Sequence, residues 1–143
     1  ISACLVGSEM CIRDRCGTVI WFGECRLSEE PLHTICYIST LLEEISEQDA
    51  KRLASKFSAM NTQVGITGCM GIRRLEVMQV LEGPRNVVQG LFQRIQVDSR
   101  HVGITLMVST DVSRRRFAGW GMIELPYGAV VEVADQVRGI HGR

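Results

Sequence analysis

The sequence carries no excess of charge of either sign. Its 143 residues hold 16 Lys and Arg against 16 Asp and Glu, for a formal net charge of zero. A nucleic-acid binder usually shows a basic footprint, so nucleic acid is not expected as a partner. Long apolar runs are also missing. None reaches the roughly 18–20 residues of a membrane-spanning helix, so no membrane association is expected. The six cysteines form no CxxC pair, and four of them (Cys4, Cys11, Cys16 and Cys25) precede residue 31. Neither a zinc cluster nor a disulfide framework is expected, and reduced thiols suit a cytoplasmic protein. There is no Gly-rich phosphate loop, carboxylate pair, Ser/His/Asp set or metal-ligand cluster, so a turnover enzyme is not expected.

What is present fits one domain. An apolar share of 45% is ordinary for a globular chain of this length. The start is anomalous. Residue 1 is Ile, and ISACLVGSEMCIRDR over residues 1–15 reads as translated cloning-adapter sequence rather than native protein. Residues 16–32 have weak periodicity and form an uncertain leader. The apolar Ile1–Gly7 run lacks the basic flank of a signal peptide. The folded domain is expected over 33–125, followed by a C-terminal cap or output segment over 126–143.

Within 33–125 the periodicities are clear. Thr34–Ser39 alternates as a strand, with Ile35, Tyr37 and Ser39 on one face. Ser46 followed by Asp49 resembles a capping box. Ala50, Leu53, Ala54, Phe57 and Met60 then form a helical stripe that ends near Asn61. Gly65–Ile72 and Glu76–Leu81 read as a hairpin, with Val77, Gln79 and Leu81 on one face and Met78 and Val80 on the other. Gly83-Pro84 opens a second helix, with proline at its first position and an apolar stripe of Val87, Val88, Leu91, Phe92 and Ile95. Val102–Ser109 predicts a strand with Ile104, Leu106 and Val108 on one face. Phe117–Leu125 predicts a last strand containing Trp120 and Met122. The order is that of an α+β, ferredoxin-like βαββαβ sandwich with one added strand and two helices on one sheet face. In the tail, Val130, Val133, Ala134 and Val137 predict a short helix that caps the open face or makes a homodimer contact.

Two polar residues stand where a core face is expected: Tyr37 between Ile35 and Ser39, and Gln79 between Val77 and Leu81. A buried amide without partners costs on the order of 1–3 kcal/mol. The pattern alone leaves two readings open. The pair faces solvent or satisfies itself, or the phenol and the reversible amide read the edge of a heterocycle.

Six sequence words bear on that choice. Tyr37, Asn61, GITG at Gly65–Gly68, QVLEG at Gln79–Gly83, D-x-R-H at Asp98–His101 and R-R-F-x-x-W-x-M at Arg115–Met122 resemble the signature of the BLUF family, sensors of blue light using FAD. The likeness runs from about His33 to Leu125 and implies a flavin, FAD or FMN in its place, held non-covalently between two helices. It implies that Tyr37 donates an electron and a proton to the photoexcited flavin. It further implies that Gln79 bridges the two and re-orients, that Asn61 bonds the flavin's carbonyl edge, and that Ser39 lies near the tyrosine. Leu53, Met70, Val77 and Ile95 match ring-lining positions, though each also fits a plain core role. Trp120 and Met122 match positions on the last strand that relay the change, and Trp120 is more often core than an electron donor. His101 fits a pocket contact or a loop tie, and Arg100 fits a phosphate contact or solvent. An unidentified downstream effector protein is implied as the receiver of the signal.

The sequence departs from the family pattern at IRRLE, where glycine or a small polar residue usually makes the turn. It also departs at Val77 and Met78, where bulkier residues often precede the glutamine. Two other functions compete. One is a light-insensitive interaction module of the same fold. The other is an acylphosphatase-like enzyme, suggested by VVQG at Val87–Gly90, although that run follows helical periodicity rather than a loop.

Overall fold

In a computed structural model of the chain, residues 31–139 are described; the adapter-like and uncertain leader segments lie outside them, apart from its last two residues. The elements are β1 (Leu32–Leu41), α1 (Glu47–Gln63), β2 (Thr67–Arg73), β3 (Glu76–Pro84), α2 (Arg85–Gln96), β4 (His101–Val112), β5 (Ile123–Glu124) and α3 (Tyr127–Arg138). The sheet order is β4-β1-β3-β2-β5. The first four strands pair antiparallel, and β5 adds in parallel to β2. This is the expected ferredoxin-like α+β arrangement with its added strand.

Strict alternation along β1 and β3 divides the core in two. Ile35, Tyr37, Met70 and Leu81 pack under α1 and α2 with Val88 and Phe92. Cys36, Cys69, Met78 and Val80 face the other way, under Val130 and Ala134 of α3. Gly71 permits α3 to approach, because a Cβ there would lie 2.9 Å from the Tyr127 Cα and from Val130. Arg73 stacks over the Tyr127 ring at 4.3 Å, which holds the start of α3 against the hairpin.

Local chemistry sets the boundaries. The Ser46 hydroxyl accepts from Asp49 N at 3.0 Å, a cap that contributes about 1 kcal/mol. Met60 completes the expected stripe of α1 in register but is exposed. Pro84 is the cap of α2 rather than its first residue. Arg74 and Leu75 form the two-residue turn between the paired Arg73 and Glu76. Arg74, at φ 58, takes the left-handed position that glycine would usually occupy. Leu75, the apolar residue of the IRRLE turn, avoids positive φ.

Two sequence expectations fail. Ile104, Leu106 and Val108 do not share a face. Cys36 pairs with Val108 and Tyr37 with Leu106, so Met107 is the extra residue of a β-bulge. The bulge sends Ile104 to the α1/α2 side and Val108 to the α3 side. The last strand shrinks from Phe117–Leu125 to Ile123–Glu124. Ahead of it the chain turns, with Trp120 N donating to Phe117 O at 2.9 Å and Gly119 at φ 92. Gly121 then presses against α1, where a Cβ would fall 2.2 Å from Ser58 O.

Candidate functional site

The face of β1 and β3 that lies beneath the two helices is not wholly apolar. Tyr37 and Gln79 are directly opposed in the β1–β3 register. Both are buried, at 2% and 6% exposure. The Tyr37 hydroxyl donates to Gln79 Oε1 in a short hydrogen bond, and the tyrosine ring tilts against Phe92 with centroids 5.4 Å apart. Gln79 Nε2 points at Met122 Sδ, 3.7 Å away. Sulfur is a weak acceptor, and the second N–H of that amide has no partner among the described residues. Burial, aided by the negative charge of Asp98, pushes the Tyr37 phenol above its ordinary range, so it stays protonated.

Asn61 is buried in the last turn of α1. Its Nδ2 donates to Gly121 O at 2.9 Å, while its side-chain oxygen has no partner among the described residues. The backbone carbonyl of Asn61 accepts from Val64 and Ile66, which fixes the turn from which the side chain projects.

These groups line a cleft of about 650 Å³ between α1, α2 and the sheet. Ser39, Leu53, Met70, Val77 and Ile95 also line it, as do Arg100 and His101. His101 ties the cleft together. Its Nε2 donates to Ile95 O at 3.2 Å, which leaves Nδ1 to accept from the Ser39 hydroxyl at 2.8 Å. Arg100 is bound to Asp98 through its backbone N, its Nε and its Nη2. That guanidinium holds the Asp98 carboxyl well below the usual carboxylate range.

Two of the residues singled out from sequence fall outside the cleft. Met122 is buried behind Gln79 and touches the amide rather than the open space. Trp120 is 55% exposed and lies in the turn before β5, because the expected strand stops short of it. Conversely, the cleft includes Leu41, the last residue of β1, and Leu42 and Ile45 from the connection between β1 and α1, which the sequence reading passed over. The apolar LLEEI run in a connecting segment was the available signal.

The space suits a flat heterocycle. Its size lies within the range of small-molecule pockets, roughly 300–1,000 Å³. Its walls are apolar, and its polar floor offers one unpaired amide donor on Gln79 and one unpaired amide acceptor on Asn61. An isoalloxazine ring has apolar faces and an edge of mixed donors and acceptors, so the residues fit a flavin.

Known proteins agree with that fit. The family model for BLUF, sensors of blue-light using FAD, matches residues 32–123. The beta subunit of a photoactivated adenylate cyclase from Euglena gracilis is 31% identical over 84 residues, which cover 59% of this chain and 10% of that protein. The BLUF domain of BlrP1 superposes with a TM-score of 0.62 at 34% identity, covering 69% of this chain and 67% of that one. Klebsiella pneumoniae BlrP1 with FMN and cyclic diGMP superposes with a TM-score of 0.61 at 34% identity, covering 66% of this chain and 26% of that one. The chain thus spans a small part of the cyclase and of the longer BlrP1 chain. It belongs to the BLUF family, and is a flavin-binding domain that senses blue light.

Proposed function

We propose that this domain binds FAD and signals through a hydrogen-bond switch between Tyr37 and Gln79. The single observation that carries this reading is the buried Tyr37 hydroxyl donating to Gln79 Oε1, in a cleft where the amide still has an unused donor. A bound flavin supplies blue-light absorption and, once excited, an acceptor for one electron and one proton. Tyr37 is neutral, its unperturbed pKa being about 10, and holds that proton on its oxygen; an oxidised phenol is a strong acid, so the proton leaves with the electron. Gln79 receives the proton at Oε1 and passes it on through its own N–H, and the proton returns by the same atoms. A side-chain amide offers two senses of hydrogen bonding, and each bond contributes only about 1 kcal/mol net, so two orientations of Gln79 lie close in energy.

Asn61 would bond the flavin's carbonyl edge through the second N–H of its Nδ2, while its side-chain oxygen would accept from a ring N–H, and Leu53, Met70, Val77 and Ile95 would pack against the ring. Arg94 and Arg100 line the same cleft and are exposed, which suits the phosphates of FAD or of FMN. His101 and Ser39 keep the C-terminal end of α2 against β1 and so exclude water beside Tyr37. The domain carries out no turnover of its own. It acts in the cytoplasm on a downstream effector protein, or on an effector domain in the manner of its photoactivated cyclase relative, and needs neither nucleic acid nor membrane.

The test is Tyr37→Phe. The variant should bind flavin with the wild-type absorption spectrum and lose the reversible red shift after blue light. A retained shift would remove Tyr37 from the role.

A further inference from the structure

Glu82 is the most deeply buried charged side chain among the described residues, at 1% exposure, and nothing in the cleft accounts for it. It lies on the α3 side of β3, the face opposite Gln79. Burying a carboxylate is costly unless hydrogen bonds replace its water. Here three donors do so. Arg116 N donates to Oε1 at 3.0 Å, Phe117 N to Oε2 at 2.6 Å, and the Thr67 hydroxyl to Oε2 at 3.1 Å. Two successive backbone N–H groups form an anion-holding nest. The Thr67 oxygen in turn accepts from Arg115 Nη1 at 2.9 Å, so a guanidinium lies one hydroxyl away.

The anchored segment continues to the cleft. From Arg116 and Phe117 the chain turns through Trp120, whose carbonyl accepts from Gly68 N at 3.1 Å. It then delivers the Gly121 carbonyl to Asn61 and the Met122 sulfur to Gln79. The same segment reaches α3, because Arg116 Nη1 donates to Gln136 Oε1 at 3.1 Å. One short stretch therefore links Glu82 on one face of the sheet to both cleft amides on the other. Besides the two-residue β5, the segment is held by these hydrogen bonds and by the packing of Phe117 and Met122 into the core on opposite faces of the sheet.

We propose that Glu82 is a positioning residue of the photoswitch: its carboxylate fixes the Arg116–Met122 segment so that Gly121 and Met122 orient Asn61 and Gln79. This rests on the reading of Gln79 as the re-orienting group. Without the carboxylate, the segment loses its fixed end, Asn61 loses a fixed acceptor, and the two orientations of Gln79 change in relative energy.

The experiment uses the full chain and Glu82→Gln, which keeps the shape but loses the charge and one acceptor. Thr67→Val, which removes only the hydroxyl bridge, is the second variant and carries the test if Glu82→Gln does not fold. In the dark, backbone amide exchange at Arg116 and Phe117 should accelerate about tenfold, as for loss of one charge-assisted hydrogen bond. The side-chain amide resonances of Asn61 and Gln79 should shift. With flavin bound, dark recovery after blue light should change by about threefold or more, since sub-kcal changes in a two-state balance act exponentially. Faster amide exchange with unchanged Asn61 and Gln79 resonances and unchanged recovery would overturn the proposal, leaving Glu82 as a loop anchor only. An unmodified chain with no light-induced shift would instead defeat the Tyr37–Gln79 reading, while the resonances still decide whether Glu82 positions the amides.

Discussion

Tyr37 and Gln79 are nearest cross-strand neighbours, and the phenol hydroxyl of one donates to the amide oxygen of the other beneath the two helices. The pairing is rigid at the backbone, because antiparallel register fixes where both side chains leave the sheet. It is soft at the side chain, because an amide can present oxygen or nitrogen to the same partner.

Replacing Gln79 by Leu should be worse for stability than its apolar character suggests. The Tyr37 hydroxyl would be left buried without an acceptor, which costs on the order of 1–3 kcal/mol. Chemical denaturation should show that loss, and flavin spectra should show no light-induced shift. Wild-type stability in the variant would mean that Tyr37 finds another acceptor.

The response should be insensitive to pH near neutrality. Burial first, and then the Asp98 charge, raise the Tyr37 phenol above its ordinary value. The folded state therefore holds this proton more tightly than the unfolded chain, where the phenol has a pKa of about 10. The stabilisation is complete below that value and is lost as pH rises through the higher folded value. The amplitude of the light-induced shift should stay flat from about pH 6 to about pH 9, within the range where the phenol is neutral. A titration of the amplitude toward the alkaline end of that window would place an ionised phenol in the cleft.

Gly121→Ala should disturb the site from outside it. The added methyl would meet Ser58 O at 2.2 Å, a backbone atom that cannot swing away. Overpacking of this kind costs about 1–3 kcal/mol, and here it also pushes the Gly121 carbonyl off Asn61. Melting temperature and flavin retention should fall together. Unchanged values would show that the approach of this segment to α1 is looser than drawn.

The two core thiols report on α3. Burial pushes the Cys36 and Cys69 thiols up to about 12, and both lie beneath Val130 and Ala134. At pH 8 they should resist iodoacetamide until the protein unfolds, as read by peptide mapping that separates them from the four cysteines before residue 31. Rapid labelling of the folded protein would mean that α3 does not cover this face.

How far these features were legible in the sequence varied with local physics. Strands β1 and β3 were legible because alternation survives along both, and the two helices because their stripes keep a 3.6-residue period. The face assignment of β4 was lost at Met107, since a bulge inserts one residue and reverses the alternation there, and a second register shift follows between Thr105 and Val102. The last strand was overread because Phe117, Trp120 and Met122 have strand-like composition, while Gly119 and Gly121 turn the chain and press it on α1. Within the site, Tyr37 and Gln79 stood out as polar residues on an apolar face, but their roles came from the family likeness rather than from periodicity. Glu82 alternates onto the face opposite Gln79, where a carboxylate in a strand ordinarily faces water. Its burial depends on a nest formed by a loop more than thirty residues away, as the bonds to Arg116 and Phe117 show.

The most direct measurement is the visible absorption spectrum of the purified protein, dark and then blue-lit, for the wild type and Tyr37→Phe side by side. A flavin spectrum that shifts slightly to the red and recovers in darkness is expected in the wild type, with the same dark spectrum and no shift in the variant. Flavin bands that do not move in the wild type, or that move equally in both proteins, would contradict a switch built on Tyr37 and Gln79.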